Sequence, residues 1–224
     1  MRIVIDGPPG SGKTTFLSCN FLRNQNIESN IRLIPNIADL GYTVFSELIQ
    51  GSINEAKTLD MNNPPKNDHD WRILFTTILK NGIIQFEQGC NNKIYWYDRG
   101  IPFISVLAAA HNIIVPNEVL QEFKHFVYDY VFIFEMIESY DLSKIAIGKF
   151  KTLTLKDRYN QYKQSCDIYQ QLGYKVHKVP VFSQDPVQNF YKRFQYIKQY
   201  ISFNDHPLTD DRELAMLNAF NTFI

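Results

Sequence analysis

At 224 residues the chain is the size of one medium domain with room for a sizeable core. Its 23 lysines and arginines balance 23 aspartates and glutamates, so it lacks the overall basic excess common in proteins that live on nucleic acid. Three scattered cysteines, Cys19, Cys90 and Cys166, have no C-x-x-C spacing and suggest neither a zinc site nor a disulfide framework. The first residues enter an apolar strand without a signal-peptide pattern, and the apolar run from Ile101 to Ala110 is too short to cross a bilayer. A cytoplasmic protein with no membrane partner is expected.

Arg2-Ile3-Val4-Ile5-Asp6 reads as a short buried strand, and Thr15-Phe16-Leu17-Ser18-Cys19 begins a helix. Between them Gly7-Pro8-Pro9-Gly10-Ser11-Gly12-Lys13-Thr14 fits G-x-x-x-x-G-K-[ST]. That pattern cradles a phosphate in main-chain N–H groups at a helix N-terminus, where the helix dipole also favours negative charge. The expected nucleotide contacts are Pro9, Gly10, Ser11, Gly12, Lys13, Thr14 and Thr15. Lys13 is expected to reach the β- and γ-phosphates and Thr14 to ligate Mg²⁺. A nucleoside triphosphate is the implied ligand.

Further strands are predicted at 31–35, at Lys93–Tyr97 before Asp98, at Tyr130–Phe134 before Glu135, and at Tyr174–Val179 before Pro180. Helical periodicity links Leu155, Tyr159, Tyr162, Cys166 and Tyr169, then Val187, Phe190, Tyr191, Phe194, Ile197 and Ile201. A further helix is predicted through Tyr42 and Leu48, with Asp39 either its cap or a carboxylate for the site. Ser52 to Asn67, broken by Asn62-Asn63-Pro64-Pro65, reads as a surface loop. Strands alternating with helices imply an α/β P-loop NTPase: five parallel strands with helices on both faces. Residues 204–224 form a predicted extra C-terminal helix, either packed on the domain at 1–203 or serving a protein partner or homo-oligomer.

Asp98-Arg99-Gly100 follows a predicted strand, and functional groups in open parallel sheets sit beyond the carboxyl ends of strands. Asp98 is placed to hold Mg²⁺ or position an attacking oxygen, and Arg99 to bind an anionic group. The bland alternative is a helix-capping turn. Trp71-Arg72 either lines an acceptor pocket or, for Trp71, belongs to the core. The loop Val181 to Pro186 is a candidate for main-chain contact with a base.

The P-loop, Asp98-Arg99-Gly100 and Gly173-Tyr174-Lys175-Val176-His177-Lys178-Val179-Pro180 together resemble a group of small single-domain AAA-like ATPases. That group includes ribosylnicotinamide kinase domains, and the Asp-Arg pair is also similar to that of thymidylate-kinase-like P-loop kinases. The resemblance spans about 1–202 and implies a nucleoside- or nucleotide-kinase-like domain with a short lid at about 139–158, using ATP and Mg²⁺. It implies a lid contact from Arg158, helped by Lys149 and Lys151, with Lys144, Gly148 and Lys156 in the same segment. It also exposes departures: Pro35-Asn36-Ile37-Ala38-Asp39 stands where a Pro-Glu-Ala-Ala-Arg segment is usual. An asparagine cannot act as a general base.

The expected catalytic set is Lys13, Asp98, Arg99 and Arg158, with Thr14 and Asp98 as metal ligands. The expected activity is transfer of the γ-phosphoryl of ATP to a small nucleoside- or nucleotide-like acceptor. The alternative is a nucleotide-dependent regulatory module acting through a protein partner. No N-K-x-D signature for guanine is present, which favours ATP over GTP.

Overall fold

The structure, a computed structural model, describes residues 1–17, 36–38, 42–45, 48, 52, 65–89, 93–139 and 153–201. Five parallel strands form one sheet: β1 Arg2–Asp6, β2 Thr43–Phe45, β3 Tyr95–Asp98, β4 Tyr130–Phe134 and β5 Val176–Val179, in the order β2-β3-β1-β4-β5. The described helices are α1 Lys13–Leu17, α2 Asp68–Gln88, α3 Phe103–Ala110, α4 Asn117–Glu122, α5 Leu155–Gln171 and α6 Pro186–Lys198. A 3₁₀ turn at Phe123–His125 follows α4.

Strand side chains alternate between two cores, as period-2 geometry requires. Val4, Tyr95, Tyr97, Val131 and Ile133 face α2, α3, α4 and α5, in a core that includes Phe75, Ile78, Ile104, Val119 and Tyr169. Ile3, Ile5, Trp96, Phe132 and Phe134 face α1 and α6, against Phe16, Phe190, Phe194 and Ile197. β1 lies centrally, pairing β3 on one side and β4 on the other. The loop leaving β1 therefore emerges between the ends of both neighbours. Crossing points of this kind in open parallel sheets are where ligands bind.

Helix starts are set by local side-chain caps. Asn67 accepts from the Asp70 N–H at 3.0 Å, with Asp68 and Asp70 in the first turn of α2. Thr154 and Asp157 form a reciprocal capping box at α5, and Asp185 accepts from the Gln188 N–H ahead of Pro186 at α6. Each supplies an acceptor to an N–H that the helix leaves unpaired, worth about 1 kcal/mol.

Three expectations change. The helix predicted through Tyr42 and Leu48 gives way to β2 at its start, because Thr43, Val44 and Phe45 pair with β3 and Phe45 stacks on Tyr95 and Tyr97; Leu48 is helical. Ser52 is no surface-loop residue: it is buried in helical backbone and its hydroxyl accepts from Asn81 Nδ2 at 3.2 Å. On α5 the predicted apolar stripe faces the core at Tyr162, Cys166 and Tyr169 but not in the first turns. Leu155 and Tyr159 are 51% and 56% exposed, while Arg158 is 2% exposed. The predicted strand at 31–35, Asp39, Cys19, Cys90, Lys144, Gly148, Lys149, Lys151, most of the predicted loop before Asn67 and the tail from 204 lie outside the described residues. Among the described residues no helix is long and apolar enough to cross a membrane.

Candidate functional site

The P-loop leaves β1 at Asp6 and closes into α1 at Lys13. Gly7, Gly10 and Gly12 have φ of 143°, 74° and 83°, a left-handed region that side chains strain to occupy. Gly7 has a second constraint: a Cβ there would lie 2.5 Å from the Phe134 carbonyl oxygen. Ser11 N–H donates to the Pro8 carbonyl at 3.2 Å, and Lys13 Nζ donates to the same oxygen at 3.2 Å. The Lys13 ammonium thus curls over the loop it must serve. Thr15 follows in the first turn of α1.

The loop and the Asp98-Arg99-Gly100 turn meet. Thr14 Oγ1 donates to Asp98 Oδ2 at 3.0 Å, across 84 residues of sequence. β3 brings this about, since Asp98 pairs with Ile5 in register, one residue short of the P-loop. A hydroxyl and a carboxylate side by side offer hard oxygen donors suited to Mg²⁺, which is commonly held by one or two carboxylates plus substrate phosphates. Among the described residues no cluster of three or more His, Cys, Asp or Glu forms a self-sufficient metal cage. The residues present therefore fit a magnesium ion that arrives with a nucleotide.

Arg99 holds φ of 70°, unusual for a residue with a side chain, and such strain concentrates at functional turns. Its main-chain N–H donates to the Ile5 carbonyl at 3.0 Å. Its guanidinium lies 3.4 Å from Asp6 Oδ1 and 3.7 Å above the Phe103 ring. Asp6 was not among the predicted site residues. It is fully buried, and its Oδ1 accepts from the Gly7 N–H at 2.6 Å. Burial raises its pKa, while Arg99, Lys13, the Gly7 N–H and the Tyr169 hydroxyl pull it back down. The Tyr169 hydroxyl also accepts from the Gly100 N–H at 3.2 Å, and burial beside Asp6 drives its own pKa up. Asp6 and Tyr169 thereby tie the two loops together.

Arg158 sits in the first turn of α5, buried against the P-loop. Its Nε donates to the Pro9 carbonyl at 3.0 Å, and Nη2 donates to the Ile137 carbonyl at 2.8 Å and the Gly10 carbonyl at 3.4 Å. A second arginine, unremarked in the sequence, does similar work. Arg193 of α6, 2% exposed, donates to the carbonyls of Ser11, Glu135 and Pro180. Its only sequence signal was an arginine on an otherwise apolar helix face beside Phe190, Phe194 and Ile197. Asn36 is fully buried, and the next two residues dock on α1: Ile37 N–H donates to Phe16 and Ala38 N–H to Leu17, each at 2.9 Å.

Two cavities are formed by described residues. One of about 460 Å³ is lined by Asp68, Trp71, Arg72, Phe75, Ile113 and Glu118. Trp71 belongs to the core, 8% exposed and packed on Phe75 and His111, and it also walls this cavity. Arg72 pairs with Glu118 at 2.6 Å on the exposed rim. The second cavity, about 250 Å³, lies among Glu135, Glu138, Tyr159, Tyr162, Val181 and Gln184. It adjoins the loop after β5, the candidate for main-chain contact with a base.

A family profile described as AAA domain matches residues 2–186. No curated protein matches the sequence. Among solved structures, deoxyadenosine kinase from M. mycoides with bound dATP superposes with a TM-score of 0.54 at 14% identity, covering 87% of this chain and 99% of its own. Thymidylate kinase from Ehrlichia chaffeensis gives 0.54 at 14% identity, covering 88% and 98%. The same M. mycoides kinase with dCMP and dCDP gives 0.52 at 14% identity, covering 89% and 100%. At that identity the likeness establishes a kinase-like P-loop fold.

Proposed function

The chain belongs to the AAA domain family, and on that footing we infer that it transfers the γ-phosphoryl group of Mg-ATP to a small nucleoside- or nucleotide-like acceptor. The observation that carries this reading is the contact of Thr14 Oγ1 with Asp98 Oδ2, which joins the P-loop to the turn after β3. In the reaction an acceptor oxygen forms a bond to the γ-phosphorus as the bond to the β,γ-bridging oxygen breaks, and ADP leaves with that electron pair. Little covalent work falls to the protein, so positioning and charge neutralisation dominate. The P-loop N–H groups and Lys13 hold the phosphates, and Thr14 and Asp98 hold the cation. Magnesium, when bound, offsets negative charge on the phosphate oxygens. Arg99, poised at the same turn, binds an anionic group of the acceptor or of the phosphoryl in flight.

The cavity beside Trp71 is our choice for the acceptor. α2 runs back across the sheet to feed β3, so its first turn, with Trp71 and Arg72, lies at the carboxyl end of the strands with the P-loop. The volume suits a small metabolite, and an indole wall suits a planar ring. The cavity beside Val181 and Gln184 is the seat for the ATP base.

The test is ADP release from Mg-ATP, with and without a pool of nucleosides, nucleotides and vitamins, using Lys13→Ala as control. Pool-stimulated release that disappears in Lys13→Ala supports the kinase. Absence of stimulation with intact ATP binding sinks it. That outcome favours a second reading, a nucleotide-dependent regulatory module. The observation behind this alternative is Asn36, a fully buried amide where the resemblance expects a carboxylate.

A further inference from the structure

Two arginines 35 residues apart in sequence converge on the P-loop, and both donate to its main-chain carbonyl oxygens. The geometry points to Arg193 and Arg158 as positioning residues that aim the Gly12 and Gly10 N–H groups at a bound phosphate by holding the opposite ends of the same peptide units. The inference rests on the reading of this loop as a triphosphate site.

The argument is one of peptide geometry. In a trans peptide the C=O and N–H point in opposite directions, and no described peptide is cis. The Ser11 carbonyl and the Gly12 N–H belong to one such unit. With the carbonyl held by Arg193 Nη1, the N–H is turned to the other side. The Pro9 carbonyl and the Gly10 N–H form the next case, with the carbonyl held by Arg158 Nε at 3.0 Å. Neither glycine N–H finds an acceptor among the described residues, as expected of donors reserved for a ligand. Left-handed glycines can flip these peptides at small cost, so an unbraced loop would sample wrong orientations.

Arginine suits the task because its planar fork can satisfy several acceptors at once, whereas lysine is a point charge. Arg193 links the Ser11 carbonyl to the residues that follow β4 and β5, through Glu135 at 2.9 Å and Pro180 at 3.1 Å. Its guanidinium also lies 4.3 Å over the Phe134 ring, in the same core that packs Phe16 of α1. It makes no ion pair with a described carboxylate. Burial lowers its pKa to about 10, which leaves it cationic at neutral pH. The charge behind the loop therefore adds to the attraction for phosphate.

The experiment compares the full-length protein with Arg193→Lys and Arg158→Lys, measuring affinity for Mg-ATP and for adenosine, with thermal unfolding of each. The expected result is Mg-ATP binding weaker by about 10- to 100-fold, the scale of a hydrogen bond to a charged group, with adenosine binding unchanged. Two variants on separate helices keep the test open should one fail to fold. A folded variant with wild-type Mg-ATP affinity overturns the role for that arginine. An equal loss of ATP and adenosine overturns it too, since that marks general damage. Wild-type protein that binds Mg-ATP without transferring phosphoryl sinks the kinase reading while the affinities still decide the brace. Wild-type protein that binds no Mg-ATP overturns both.

Discussion

Asp6 and Asp98 end neighbouring parallel strands, one residue out of register, yet do different work. Asp98 meets the Thr14 hydroxyl, beside the phosphate cradle. Asp6 is sealed from water and spends its carboxylate on the Gly7 N–H and Arg99. One aspartate meets a P-loop hydroxyl and the other ties the P-loop to the turn after β3. The lesson is that position at a strand end makes a carboxylate available to a site, and the neighbours decide its use.

The sharpest way to break that contrast is to truncate each in turn. Asp98→Ala should lose turnover by about 100-fold or more, with Mg-ATP affinity changed far less; steady-state kinetics beside nucleotide titration checks this, and full activity would end the assignment. Asp6→Ala removes the buried acceptor of the Gly7 N–H and one partner of Arg99, and should reduce stability by about 3 kcal/mol in urea unfolding. If Asp6→Ala were fully stable but inactive, the contrast would collapse. Asp6→Asn keeps an acceptor for Gly7 and should cost less. Its pH dependence has a definite sign: burial raises the folded pKa of Asp6, so the native state holds its proton more tightly than the unfolded chain. Acidification through that folded pKa therefore favours wild type over Asp6→Asn.

A fourth variant probes the Asp98 turn through packing. A Cβ on Gly82 of α2 would come within 1.7 Å of Ile101 Cδ1, three residues beyond Asp98. Gly82→Ala gains helix propensity yet overpacks a buried contact, for a net loss of about 1 kcal/mol, with turnover falling more than in a surface Gly→Ala control. The smallest expected effect lies away from both aspartates. Burial, then the charge of Lys175, lowers the pKa of His177, which sits between Phe132 and Tyr200. The unfolded chain then takes up protons first, so stability falls as pH drops below about 6.5. His177→Phe should blunt that fall in melts at neutral and mildly acidic pH, and an unchanged pH slope would rule it out.

Much of this was legible in one dimension. β1 and β4 fall where hydrophobic runs placed them, and the P-loop and Asp98-Arg99-Gly100 announce themselves by spacing. β2 did not, because three residues embedded in a run from Tyr42 to Leu48 also suit a helix, and pairing with β3 chose the strand. Trp71 could be read as core or as pocket wall, and packing made it both.

By itself the sequence determined the phosphate loop, the alternation of strands and helices, and the acid at the end of β3, because each is written in residues close together along the chain. Tertiary structure alone decided what Asp6, Arg158 and Arg193 do. Their partners are largely main-chain groups: Arg193 reaches Ser11 across 182 residues, and a carbonyl oxygen is carried by every residue alike. Recognition of main chain leaves no pattern of side-chain types to read, so only the folded sheet, bringing β1, β4 and β5 to one edge, reveals it.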